Sequence, residues 1–434
     1  MSAAYSQELR AFLDATPTSY HTTANLKKEL LEAGYTQLLE SGSWELHEGG
    51  KYFVVRGESS VIAFRIPRKD FRGFMISASH SDSPTFKVRE AAEVSSAGGC
   101  VRLSVEPYGG MILRSWMDRP LSVAGRVMVR QGDGVVSRLV KVDRDLLVIP
   151  SVAPHMDREI NKGSVLKANV DLLPLFSQGK DADGFRAIVA ESMGVRTEDI
   201  VATDLFLYAR TPAAEFGAEG EFLAAQGLDD RECVFCCMQG FLQAEESESA
   251  PVLAVFNNEE VGSGTRQGAD STFMTDVLRR INSALGRSEE EYLMAVANSF
   301  MVSADNAHAI HPAHPEYADS NEFPVLNGGV VIKYNAAQHY MTDAASAAVF
   351  RQVCHRAGVP VQRYSNRADM PGGSTLGNIA AAHLSIPGVD IGLPQLAMHA
   401  AFEVAGSKDA EYLVRAMKAY YASSFRCDGE TIRI

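Results

Sequence analysis

Two carboxylates stand side by side in Asn257-Asn258-Glu259-Glu260-Val261-Gly262. Neighbouring side chains point to different sides of the chain, so this pair can divide two tasks, one as a metal ligand and one as a base. A solvated acidic loop is the plainer alternative. His80-Ser81-Asp82 places an imidazole and a carboxylate on the same face of an extended segment, where the carboxylate can accept the second ring N–H of a metal-bound histidine and fix its tautomer. Asp229, in Gly227-Leu228-Asp229-Asp230, offers two oxygens, enough to bridge two ions about 3.5–4 Å apart. Taken alone, it would serve equally well as a helix N-cap. Asp305 and His399 extend a donor set of oxygen and nitrogen that suits zinc and similar divalent cations.

These residues follow apolar runs that read as strands. Phe-Met-Ile-Ser-Ala-Ser leads into His80, Pro-Val-Leu-Ala-Val-Phe into Glu259 and Glu260, Phe-Met-Val-Ser-Ala into Asp305, and Gly-Val-Asp-Ile-Gly-Leu soon reaches His399. Ligands in open α/β sheets collect at the carboxyl ends of strands. A single strand-end His or Asp is more often a capping or surface residue, but recurrence at four strand ends reverses that reading. Helical patterns alternate with these strands and with Gly-Val-Val-Ile-Lys-Tyr, which predicts a mostly parallel sheet with helices on both faces. Two helices precede it, one from Tyr5, Leu9, Phe12 and Leu13, the other from Leu26, Leu30 and Leu31 with a stop at Gly34. Between 88 and 225 the texture changes to short strand-like runs and the polar stretch Ser177–Gly184, without strand and helix alternation. The expected organisation is an α/β catalytic domain made from 1–87 and 226–434, interrupted by a β-rich insert at 88–225.

The chain has 434 residues, 46% hydrophobic and 22% charged, which supports a large core and excludes a disordered protein. Lys and Arg total 41 against 54 Asp and Glu, for a net charge of −13, and no basic block occurs, so a nucleic-acid binder is not expected. Six irregularly spaced cysteines give no disulfide framework. Glu8, Arg10 and Asp14 interrupt the N-terminal segment where a signal peptide would need an apolar run, and no apolar stretch reaches membrane-spanning length. A cytoplasmic protein without membrane contact is expected.

Three patterns distract from the metal-ligand set. Cys233-Val234-Phe235-Cys236 has metal-pair spacing, but no second pair exists and the run reads as a buried helix. His308, His311 and His314 recur every third residue, yet Pro312 and Pro315 break any helix that would align them. The Gly372–Gly377 loop lacks the lysine of a nucleotide-binding loop.

In order along the chain, His80-Ser81-Asp82-Ser83-Pro84, Leu228-Asp229-Asp230, Asn258-Glu259-Glu260-Val261-Gly262-Ser263, Ser303-Ala304-Asp305-Asn306-Ala307-His308 and Pro394-Gln395-Leu396-Ala397-Met398-His399 resemble the motifs of the aspartyl aminopeptidase family of di-zinc peptidases. The resemblance covers nearly the whole chain. It implies two Zn2+ per chain, with Mn2+ or Co2+ as alternative occupants. Asp229 would bridge them, His80 and Asp305 would complete one site, and Glu260 and His399 the other. Glu259 would be the general base, with Asp82 the partner that orients His80. The resemblance further implies a cis peptide between Asp229 and Asp230, substrate contacts from His308, Lys333, Tyr340 and Gly373, and a homododecamer of tetrahedral form assembled through the insert. In that assembly His155 would reach a neighbouring subunit's site. Peptides with an acidic N-terminal residue, Asp or Glu, are the implied substrates, and a broad or neutral, leucine-type preference is the alternative. Since the net charge gives an acidic substrate no long-range attraction, acidic selection needs a local cation, and Lys333 is the candidate.

Overall fold

Leu9, Phe12 and Leu13 are buried on one side of α1 (Ser2–Ala15), and Leu26 and Leu30 on one side of α2 (Ser19–Glu32). Leu31 falls off that stripe and is 49% exposed, since successive helical residues are turned by about 100°. The computed structural model describes residues 2–163, 165–179, 184–370 and 372–434, so 180–183 of the polar Ser177–Gly184 stretch lie outside the described residues. After β1 (Thr36–Leu38), the run with Gly57 at its turn folds into a hairpin, β2 (Lys51–Arg56) and β3 (Ser60–Arg65). Then comes β4 (Phe74–His80), buried at all seven positions.

The next strands are β5 (Thr85–Ser95), β6 (Cys100–Tyr108), β7 (Leu121–Gln131), β8 (Gly134–Lys141), β9 (Leu175–Gln178) and β10 (Ile200–Ala209), joined by α3 (Ala168–Asp171) and α4 (Gly184–Met193). They form a separate antiparallel sheet in the order β8-β7-β10-β5-β6-β9. Its own core includes Phe86 and Trp116, whose rings meet edge-on at 5.5 Å. The chain leaves this sheet at Ala209. It continues through β11 (Ala214–Phe216) and β12 (Phe222–Ala225) to α5 (Leu228–Gln243), β13 (Ala250–Phe256), α6 (Phe273–Ala284), α7 (Glu289–Ala297), β14 (Phe300–Ala304), β15 (Ala307–His308) and β16 (Val330–Tyr334). The remainder is α8 (Ala344–Ala357), β17 (Val361–Ser365), α9 (Leu376–Leu384), β18 (Gly388–Gly392), β19 (Pro394–Leu396), β20 (Glu403–Gly406) and α10 (Asp409–Tyr421).

The main sheet has nine strands in the order β1-β2-β3-β13-β4-β14-β18-β16-β17, and five of its eight pairs are parallel. Its centre, β13-β4-β14-β18, is parallel throughout, which brings the carboxyl ends of the four expected strands to one edge. A smaller sheet, β11-β12-β20-β19-β15, pairs β12 with β20 and so ties Phe222–Ala225 to the C-terminal part of the chain. Helices cover both faces. Phe12, Leu30, Phe241, Phe350 and Tyr421 pack on one side, and Phe273, Ile281, Tyr292 and Leu384 on the other.

The cysteine-rich run is the buried α5, and all six cysteines are unpaired. Among the described residues no helix is long and apolar enough to cross a membrane. Phe241 of α5 is fully buried against the rings of Tyr35 and Tyr421, at 5.6 and 5.3 Å. Phe241→Ala is expected to cost about 3–5 kcal/mol through lost burial and a residual cavity. A urea unfolding midpoint indistinguishable from that of the unsubstituted protein would contradict this packing.

Candidate metal centre

Each potential ligand sits where a regular element ends. His80 closes β4. Beyond β13, Asn258 turns through a positive φ of 64° and Glu259–Val261 form a single 3-10 turn before Gly262, at φ 93°. The backbone N–H groups of Glu259 and Glu260 donate to the two oxygens of Asp82, both at 3.2 Å, and the Tyr108 hydroxyl donates to Asp82 Oδ2 at 2.7 Å. The buried carboxylate of Asp82 therefore fixes the turn that presents both glutamates. Asp229 opens α5 after Gly227, whose φ of 64° and contact with the Arg231 guanidinium leave no space for a Cβ. The Asp229–Asp230 peptide is cis, as the resemblance implies.

The two imidazoles are oriented from behind. His80 Nδ1 lies 3.0 Å from the Asp82 carbonyl and 3.5 Å from its carboxylate, so the nearer acceptor is the backbone oxygen and not the carboxylate the sequence suggests. His399 Nδ1 lies 2.6 Å from the carbonyl of Gly110, in the β-rich region. A proton on each Nδ1 leaves Nε2 free as a ligand atom. The Nε2 atoms face opposite oxygens of one carboxylate, His80 at 3.6 Å from Asp229 Oδ1 and His399 at 3.3 Å from Asp229 Oδ2. His399 Nε2 is also 3.4 Å from Glu260 Oε1.

Tetrahedral ligands at zinc bond lengths lie about 3.3 Å apart, so these spacings match donors gathered around ions. His80, Asp229 and Glu260 form one possible metal-holding group, and Asp229, Asp230 and Asp305 a second. The buried Asp229 Oδ1, Asp230 Oδ1 and Glu260 Oε1 have no hydrogen-bond partner. Burial and neighbouring carboxylates push Glu259 up to about 7 and raise Glu260, Asp230 and Asp305. Asp229 departs the other way, because His399 and His80 overcome its burial and hold it well below the usual carboxylate range. A buried cluster so rich in acids and orphaned oxygens suits divalent cations, which supply the missing positive charge.

A cavity of about 520 Å³ opens over this cluster. His80, Asp229, Glu259, Glu260, Asp305 and His399 line it, and so do His308, Lys333, Tyr340 and Gly373. Asp82 lies behind it. The buried Lys333 ammonium is 3.6 Å from Asp305 Oδ1 and 5.5 Å from the centre of the Tyr340 ring. Burial works against its charge, but Asp305, Tyr340 and Asp390 outweigh that and raise its pKa. His155 is not brought to the cavity. It is exposed in the turns between β8 and α3.

Sequence reasoning missed two carboxylates that hold the centre in place. Glu403, 1% exposed, accepts the Asp229 N–H at 3.1 Å and the His399 N–H at 2.6 Å, tying both to one side chain. Asp230 accepts the His80 N–H at 3.1 Å. The available signals were the acid four residues after His399 and the second acid of the Asp229-Asp230 pair.

The family model for the aminopeptidase I zinc metalloprotease (M18) matches residues 12–421. The chain is 41% identical over 425 residues to a probable M18 family aminopeptidase 2 of Clostridium acetobutylicum, covering 96% of this chain and 98% of that protein. It is 39% identical over 431 residues to the protein of the same description from Pseudomonas savastanoi, covering 98% and 99%. Among solved structures it is similar to a chain of the cryo-EM structure of an Ape4 and Nbr1 complex, with a TM-score of 0.94, 34% identity, and 97% of this chain and 86% of that one covered. It is also similar to the yeast mApe1 dodecamer, with a TM-score of 0.84, 27% identity and 96% of each chain covered.

Proposed function

The chain belongs to the aminopeptidase I zinc metalloprotease family, M18, and is a metalloaminopeptidase; we propose that it removes acidic N-terminal residues from peptides in the cytoplasm, using two zinc ions. The observation that carries the two-ion reading is the pair of imidazole Nε2 atoms facing the two oxygens of Asp229. His80 and Asp305 would hold one ion, Glu260 and His399 the other, with Asp229 shared. Ions held there would supply Lewis acidity toward a water and toward the scissile carbonyl. Glu259, on the cavity wall, takes a proton from the attacking water and passes it to the leaving amine, a role that suits a carboxyl pushed up to about 7. Tyr340 donates a hydrogen bond to the developing oxyanion, and His308 and Gly373 contact the peptide. A panel of N-terminal aminoacyl substrates, assayed on zinc- and manganese-loaded protein, tests the reading. Fastest cleavage of Asp and Glu substrates is expected, and no cleavage of any substrate at full metal occupancy would overturn it.

Lys333 is the proposed partner of the substrate's side-chain carboxylate, because it is the buried cation on the cavity wall. A charge-assisted hydrogen bond of this kind contributes about 1.5–3 kcal/mol, roughly ten- to a hundredfold in rate ratio. Lys333→Ala should therefore depress cleavage of Asp and Glu substrates that much more than of Leu or Ala substrates, with metal content measured alongside. Equal losses on both would reject acidic selection. One observation favours the alternative of a broad or neutral preference: Asp305 already stands 3.6 Å from the ammonium.

Assembly as a homododecamer through the β-rich insert belongs to the same proposal. It is supported by the similarity to the yeast dodecamer and by exposed apolar side chains in the segment that carries His155, Met156 at 83% next to it and Val165 at 86% further along. His155 would then enter a neighbouring copy's cavity. His155→Ala should lower turnover without lowering metal content, and unchanged kinetics would remove His155 from the site.

A further inference from the structure

A second cavity, of about 350 Å³, adjoins the one over the metal cluster. His308, Tyr364 and Gly373 line both, so the two are neighbours that share these three residues as a common wall. The rings of His308 and Tyr364 meet at 6.1 Å, and a Cβ built on Gly373 would meet nothing within 4 Å. The boundary between the cavities is thus formed by two rings and a residue without a side chain.

The groove has apolar walls left open to solvent. Tyr317, Phe323 and Met370 line it while 60%, 39% and 40% exposed. Exposed large apolar side chains gathered around a concavity mark a binding surface more often than a bare wall. Two unsatisfied amide atoms accompany them. Gln395, 1% exposed, spends its Oε1 on the Asn306 amide at 2.8 Å and leaves a buried Nε2 without a partner. Asn366 donates to the Tyr364 hydroxyl at 2.9 Å and leaves a buried Oδ1 without a partner. One spare donor and one spare acceptor match the C=O and N–H of a peptide unit.

We infer that this groove is the subsite for the leaving part of the peptide, where the second residue places an apolar or aromatic side chain against Phe323 and Met370 while its backbone meets Gln395 and Asn366. The inference rests on the metal cavity being the place of cleavage. It makes the residue after the scissile bond a determinant of rate alongside the N-terminal one.

The test uses metal-loaded protein and two tripeptides, X-Phe-Ala and X-Gly-Ala, where X is the N-terminal residue cleaved fastest in the substrate panel. The unsubstituted protein should favour the Phe peptide by about tenfold in kcat/KM, a scale typical of discrimination by an apolar pocket. Phe323→Ser and Met370→Ser should each reduce that ratio severalfold while X-Gly-Ala hydrolysis stays unchanged, which also shows that the variants are folded. An unaltered ratio in both variants, or equal loss on both peptides, would overturn the groove and leave the aminopeptidase reading standing. Cleavage of neither peptide by the unsubstituted protein would instead sink the cleavage site itself, and the groove with it.

Discussion

Glu259→Gln is expected to keep its metal and lose about 10²–10⁴ of turnover, the usual contribution of a positioned general base. The amide occupies the same volume and lines the same cavity, but it cannot take a proton from water. Glu260→Gln should fail differently. Glu260 Oε1 stands 3.4 Å from His399 Nε2 and has no hydrogen-bond partner, as a donor aimed at an ion would be. Replacing that carboxylate removes a ligand charge, so metal affinity should fall together with turnover. The two residues share one 3-10 turn fixed by Asp82, so neither substitution has a reason to disturb the other's backbone. Metal content by elemental analysis, measured beside kcat, separates the cases. Substantial turnover by Glu259→Gln at full occupancy would assign the base elsewhere.

The strands that carry these residues were readable because their apolar runs are buried throughout, as in β4, β13, β14 and β18. A run of that kind has one environment on both faces, and its C-terminal end is where the sequence turns polar. Direction is not written in such a run. β16 reads like its neighbours, yet it lies antiparallel to β18. The groups behind the ligands were not readable for another reason. Glu403 follows His399 by only four residues, but its contact with Asp229 spans 174 residues of chain and that of the Gly110 carbonyl with His399 spans 289, and no local pattern reports these two contacts. The relation of His80 to Asp82 was anticipated as residues in contact but not in its atoms. The bend after β4 brings the Asp82 carbonyl nearer to the ring and turns the carboxylate toward the Glu259 turn.

Asp229→Asn is expected to be the most damaging single-atom change in the chain. The carboxylate has an imidazole nitrogen opposite each oxygen, and the amide can offer an oxygen to only one side while presenting N–H to the other. At least one ion should therefore be lost, and with it several kcal/mol of charge stabilisation, on the order of a thousandfold or more in kcat. Glu403→Gln is the informative comparison. Glu403 touches the backbone N–H groups of Asp229 and His399 and does not line the cavity, so its loss should loosen both without removing a ligand. Groups that orient ligands in this way are worth about 10–100-fold in affinity. Excess zinc should then restore Glu403→Gln much of the way and leave Asp229→Asn inactive, because added metal offsets a weakened site but cannot supply a missing bridge. Zinc titrations of both variants, read as bound equivalents and as kcat, decide the point. Two tightly held equivalents and near-normal turnover in Asp229→Asn would show that the carboxylate bridges nothing.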